Sequence, residues 1–82
     1  SNINTVSYLD VSVRNISDLT GVENFTALTS LECYANQLTS LDISNNTALT
    51  AINCGNNNLT SLDVSNNVLL SNFSCDNNNL TV

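Results

Sequence analysis

The sequence holds no histidine, no lysine and no methionine, and its only base, Arg14, stands against seven acids for a formal charge of -6 over 82 residues. That balance opposes nucleic acid and anionic membrane surfaces, so no nucleic acid partner is expected. No apolar run approaches the roughly 18 to 20 residues of a membrane-spanning helix, so no membrane insertion is expected either. Catalysis is poorly supplied. Without His or Lys, and without a G-x-S-x-G or phosphate-binding loop, the common bases, nucleophile elbows and phosphate cradles are missing. No cofactor and no metal is expected, since the three cysteines lack clustered C-x-x-C spacing. The missing methionine, the start at Ser1-Asn2 and the stop at Leu80-Thr81-Val82 within a pattern suggest a piece of a longer, exported protein whose signal peptide is gone.

What is abundant is uncharged polarity. Asparagine fills 17 positions, serine 11 and threonine 9, beside 12 leucines, while charged residues make up 10% of the chain. Apolar content of 41% at fixed spacing argues for a packed core rather than low complexity. At an offset of 21 residues, Leu28-Thr29-Ser30-Leu31-Glu32-Cys33 superimposes on Leu49-Thr50-Ala51-Ile52-Asn53-Cys54 and on Leu70-Ser71-Asn72-Phe73-Ser74-Cys75. The match continues through Asn36, Asn57 and Asn78, then through Leu38, Leu59 and Leu80. In the second halves, Leu41-Asp42-Ile43-Ser44-Asn45-Asn46 lies over Leu62-Asp63-Val64-Ser65-Asn66-Asn67. A fixed period of about 20 to 50 residues decides the architecture before local propensity does.

The unit L-x-x-L-x-C-x-x-N-x-L-x-x-L-D-[IV]-x-x-N-x-x resembles the leucine-rich repeat, in its bacterial 21-residue IRREKO form whose second half echoes the first. Residues 28–48 and 49–69 are regular copies and 70–82 a partial one, together with a divergent first turn at 6–27. In that turn Val6, Leu9, Val11 and Ile16 hold the signature positions, and Arg14 stands where Asn is expected. There Leu19, Val22, Phe25 and Leu28 recur every third residue, which resembles the short helical turn of internalin-like repeats. The resemblance implies a right-handed leucine-rich repeat solenoid, mainly β, with a parallel sheet on its concave face and helix confined to the first repeat.

Elementary geometry supports that fold. Strand alternation points Leu31 and Cys33 inward and Glu32 and Tyr34 outward. A single turn cannot bury its leucines, but turns stacked about 4.8 Å apart place Leu on Leu and Cys on Cys. Asn36, Asn57 and Asn78 are expected to form an inward ladder, because an amide satisfies both N–H and C=O groups left by a sharp turn. Asn46 and Asn67 are assigned the same task on the opposite wall. Cys33, Cys54 and Cys75 share one column, where side-by-side thiols are poorly aimed for a disulfide, so free buried thiols are expected.

Outward columns supply the candidate sites: Asp10, Glu32, Asn53 and Ser74; Ser12, Tyr34, Gly55 and Asp76; Val13, Ala35, Asn56 and Asn77. Ligand contacts are assigned to Tyr34, Glu32, Asn53, Asn56 and Asp76, led by Tyr34 because aromatics enrich interfaces. Tyr8 is a second aromatic candidate nearer the end of the array. Asp42 and Asp63 form a carboxylate pair about one turn apart, but no pocket surrounds them in the pattern, so no catalytic residue is assigned and turn capping or a weak surface cation is the expected role. The expected function is non-catalytic protein or glycan recognition, or adhesion, in a bacterial secreted or cell-surface protein. A structural spacer is the alternative. A less favoured one is ice binding through the Thr39, Thr60, Thr81 column and the Thr29, Thr50 column. Self-association through an uncovered C-terminal end, with Phe73 at its edge, is also expected.

Overall fold

The computed structural model describes residues 3–80. Thr81, assigned above to a threonine column, lies outside the described residues. Four short strands, β1 (Tyr8–Asp10), β2 (Ser30–Glu32), β3 (Ala51–Asn53) and β4 (Asn72–Ser74), form one parallel sheet in chain order. Leu9, Leu31, Ile52 and Phe73 are register partners in succession. The chain therefore returns beside itself once per repeat, with a 22-residue first step and 21-residue steps thereafter.

Inter-turn bonding outruns the strands. At the start of β2, β3 and β4, Thr29 and Ser30, Thr50 and Ala51, and Ser71 and Asn72 donate backward to the Ser7, Thr29 and Thr50 carbonyls at 2.8–3.2 Å. Beyond the strands, Cys33 and Ala35 donate forward to Asn53 and Gly55, and Cys54 and Asn56 to Ser74 and Asp76. The forward ladder ends on a residue in the left-handed region, Val13, Ala35 or Asn56, and Asn77 holds the same place in the last turn, all with φ of 55–58°. This conformation turns the backbone out of the sheet. It suits Asn, but for Val and Ala it is strained, because Cβ crowds the following carbonyl.

The opposite wall repeats a different device. Val22, Phe25 and Leu28 each donate to the carbonyl three residues earlier, so the short helical turn that the resemblance implied is the 3-10 turn Val22–Asn24. Gly21, at φ 111°, leads into it with a backbone that a side chain would strain. The regular repeats keep part of this track: Asn46 donates to Ile43 and Leu49 to Asn46, then Asn67 to Val64 and Leu70 to Asn67, all at 2.9–3.2 Å. Phe25 thus occupies the column that Asn46 and Asn67 fill one and two turns later. A further 3-10 turn at Ile3–Thr5 precedes the first repeat.

The middle turns enclose most of their apolar positions, with Leu41, Leu62 and Val64 left partly buried. Leu28, Leu31, Cys33, Leu38, Ile43, Leu49, Ile52, Cys54 and Leu59 are all 0–3% exposed. Full burial of such a leucine contributes about 1.5–3 kcal/mol. The outer turns are partly open, with Leu9, Val11, Ile16, Leu70 and Leu80 packed against the core but not enclosed. The uncovered apolar surface expected in the last turn is present at Phe73, 49% exposed, and at Leu69.

Candidate functional site

Three polar files run along the stack, and their bonding separates structural asparagines from available ones. In the strand-side file, Asn36 Oδ1 accepts from the N–H groups of Arg14 and Ile16 at 2.9 and 3.0 Å, while Nδ2 donates to Val11 and Cys33 carbonyls. Asn57 Oδ1 accepts from Leu38 and its Nδ2 donates to Cys33, Cys54 and Gly55 carbonyls. Asn78 repeats the pattern with Leu59, Cys54 and Cys75. Arg14, which breaks the motif, contributes its backbone N–H to Asn36 instead of an amide of its own.

The wall-side file works by donation alone. Asn46 Nδ2 donates to Val22 and Phe25, and Asn67 Nδ2 to Ile43 and Asn46, at 2.9–3.0 Å. Both Oδ1 atoms are buried and accept no hydrogen bond. A third file is made of hydroxyls: Thr29 donates to the Ser7 carbonyl, Thr50 to Thr29 and Ser71 to Thr50, at 3.0–3.3 Å. The Thr29 and Thr50 hydroxyls are therefore committed to the backbone.

Cys33, Cys54 and Cys75 are free thiols in one file, the first two buried and the third half-buried. Burial pushes the Cys33 thiol up to about 12 and Cys54 up to about 11. Both are held as thiols at neutral pH, so they pack as small hydrophobes and are poor nucleophiles or metal ligands. Among the described residues, no group of His, Cys, Asp or Glu is arranged to hold a metal ion.

The carboxylate pair is bound into turns. Asp42 accepts from the Ser44 hydroxyl at 2.6 Å and its N–H at 3.0 Å, and Asp63 from the Ser65 N–H at 2.9 Å. These serine hydrogen bonds hold both carboxyls below the ordinary range. A glycosidase acid needs one of its pair raised, so this pair is tuned the wrong way for proton donation. Asp18 is held down in the same manner by Thr20, whose hydroxyl and N–H both donate to it. Shallow open grooves run along this wall, lined by Asp18, Glu23, Asp42 and Asp63 with neighbouring serines.

On the outer sheet face the five assigned residues divide. Glu32 and Asn53 are register partners on β2 and β3, and Tyr34, 37% exposed, follows Glu32 by two residues. Asn53 is partly occupied, since its Oδ1 accepts the Gly55 N–H at 3.2 Å. Asn56 is exposed but sits at the left-handed turn, so its identity is explained by backbone conformation, a signal that its recurrence with Asn77 in one column already carried. Asp76 is exposed one turn beyond Gly55. Gly55 is buried although its column faces out: a Cβ there would meet the Asp76 carbonyl at 3.3 Å and Asn53 Oδ1 at 3.4 Å. Tyr8, 58% exposed, lies on the same face of β1, and its phenol is raised by partial desolvation and then by Asp10, Glu32 and Tyr34. The period gave the columns but not this convergence of two tyrosines with two acids.

No protein-family model matches the chain. Internalin J of Listeria monocytogenes serotype 4b (strain F2365) is 46% identical over 40 residues, which cover 49% of this chain and 4% of that protein. A solved functional domain of InlJ from Listeria monocytogenes, described as including a cysteine ladder, superimposes with a TM-score of 0.96 at 44% identity over 98% of this chain. The chain spans 18% of that structure's length. The file of thiols read from the 21-residue period thus has a counterpart in a bacterial relative of the same architecture, and the chain is a leucine-rich repeat solenoid of the internalin-like kind.

Proposed function

We propose that this array is a non-catalytic recognition or adhesion module of a bacterial secreted or cell-surface protein, with the outer face of the parallel sheet as its contact surface and a protein or glycan as its ligand. The observation that carries the reading is the contrast on that face between occupied and free side chains. Asparagines and threonines of the inner and flanking files are consumed by backbone bonds, whereas among the described residues neither the Tyr34 phenol nor the Glu32 carboxylate makes a hydrogen bond. Side chains free of folding duty on a rigid repeat scaffold are available for binding. Tyr34 and Glu32 form the centre, Asn53 adds an amide beside them, and Asp76 and Asn56 flank it. The likeness to an internalin supports a surface role.

The double variant Tyr34→Ala/Glu32→Ala tests the reading on glycan and cell-surface protein arrays. Wild-type hits that disappear in the variant support a recognition face, while hits of unchanged affinity favour a spacer whose binding lies elsewhere. Self-association through the exposed Phe73 edge is a separate proposal, removed if light scattering reads monomer at every concentration.

A further inference from the structure

The outer face carries an aromatic feature more specific than its general openness. Tyr8 and Asp10 alternate on β1, and Asp10 is the register partner of Glu32 on β2. Tyr34 follows Glu32 on the same face, because the inter-turn ladder continues through the Val13 N–H to Tyr34 carbonyl bond of 3.0 Å. Two exposed phenols therefore flank a facing pair of carboxylates across neighbouring strands.

The fold does not ask for this arrangement. Like charges directly opposite in a sheet are destabilising, and the same column accepts Asn53 and Ser74 in the next two turns. Asp10 has a structural use, capping the Ser12 N–H at 3.0 Å, but Asn53 performs that same cap without a charge. Glu32 has none. Arg14 is the one base in the chain, and it is the weakest of the influences on the Asp10 carboxyl. With Asp76 further along and a net charge of -6, the face is complementary to a cation.

We propose that Tyr8, Asp10, Glu32 and Tyr34 seat an arginine or lysine side chain presented by a protein partner. The cationic head lies between the two carboxylates, and the rings flank it in cation–π contact. This assignment rests on the sheet face being the recognition surface and names the chemistry that it takes. A carboxylate pair supplies charge-assisted hydrogen bonds to a guanidinium or ammonium, and a tyrosine face adds attraction that grows as the cation is desolvated. A neutral glycan would use the rings but would leave the facing carboxylates unrelieved.

Titration with a short alternating Gly-Arg peptide by calorimetry tests the seat, with thermal unfolding as a check that each variant folds. Binding to the wild type is expected to weaken with salt. Tyr8→Ala/Tyr34→Ala and Asp10→Asn/Glu32→Gln are each expected to weaken it about tenfold, the scale of two cation–π contacts or two charged partners. Asp42→Asn/Asp63→Asn removes the same net charge from the opposite wall and is expected to change affinity less than about threefold. Equal losses from the two carboxylate pairs would show attraction to bulk charge only, and an unaffected tyrosine variant would remove the aromatic seat; either overturns the proposal. If array ligands are lost on Tyr34→Ala/Glu32→Ala while the peptide shows no preference for this face, the recognition surface stands and the cationic assignment alone fails.

Discussion

The strand-side and wall-side asparagines occupy equivalent places in the two halves of each repeat, yet they hold the stack together differently. On the strand side the files interlock: the Cys33 carbonyl accepts from both Asn36 and Asn57, and the Cys54 carbonyl from both Asn57 and Asn78, while each Oδ1 takes an N–H from the preceding turn. On the wall side, Asn46 and Asn67 give their amide hydrogens to separate pairs of carbonyls and leave both Oδ1 atoms buried without a donor. The sharp exit from a strand exposes both donors and acceptors inward, and only an amide serves both. The wall-side i to i+3 turns already use their own N–H groups, so they present carbonyls alone. Asparagine there is half employed.

Asn57→Ala is the largest expected effect. It orphans the buried Leu38 N–H and removes a donor shared with both neighbours, for a loss of about 3 kcal/mol or more. Asn67→Ala deletes two donations but also relieves an unpaired Oδ1, so about 1–2 kcal/mol is expected from urea unfolding of the same chain. Equal costs would mean that the unpaired oxygens on the wall have partners. The pairing of Asn36 and Asn57 sharpens the contrast further. Their double alanine variant should miss additivity by about 0.5 kcal/mol or more, because both donate to one carbonyl, whereas Asn46→Ala/Asn67→Ala should be closer to additive.

The strand-side turn has a second requirement with no wall-side counterpart, a left-handed residue in every repeat. Asn56 and Asn77 meet it with a residue suited to that region, but Val13 and Ala35 do not. Val13→Asn is expected to stabilise by about 1 kcal/mol, and Ala35→Asn by somewhat less because Ala is not β-branched, both read as higher urea midpoints. A destabilised Val13→Asn would show that the exposed valine still contributes packing that outweighs its strain.

Much of this was legible in the sequence because a repeat reports inside and outside redundantly. Leu28, Leu31, Cys33 and Asn36 recur at identical spacing, so burial, register and the amide ladder followed from period and alternation. The short helical turn of the first repeat was implied by the resemblance that Leu19, Val22, Phe25 and Leu28 carry, and its 3-10 form came from the structure. What the period could not supply were features set by neighbours across turns. Gly55 reads as outward by its column, yet the Asp76 backbone crosses it closely enough to bury it. Asn56 reads as a ligand contact until its φ shows why Asn is there. Tyr8 belongs to a 22-residue step, outside the exact period, and its approach to Glu32 and Tyr34 emerged only from the β1–β2 register.

The smallest expected effect concerns acid. Asp18, Asp42 and Asp63, which cap turns in the second halves of the repeats, and Asp10 beside the sheet all titrate below the ordinary carboxylate value because serine or threonine groups donate to the ionised form. A carboxyl whose folded value is depressed adds stability above its unfolded value of about 3.9, and that contribution is lost as pH falls through the lower folded value. Acidification also relaxes the mutual repulsion of a chain with net charge -6, which acts in the opposite direction. The slope of the wild type is therefore a difference of two trends. Asp42→Asn/Asp63→Asn separates them, since the amide oxygens still accept the serine donors without titrating. Between pH 5 and pH 2 this variant is expected to lose less stability than the wild type in urea unfolding. High salt should narrow the gap only partly, because each cap is a hydrogen bond at short range and the repulsion is not. A variant that tracks the wild type throughout would mean that the wall-side caps contribute nothing to the acid response, leaving Asp10 and Asp18 to account for it.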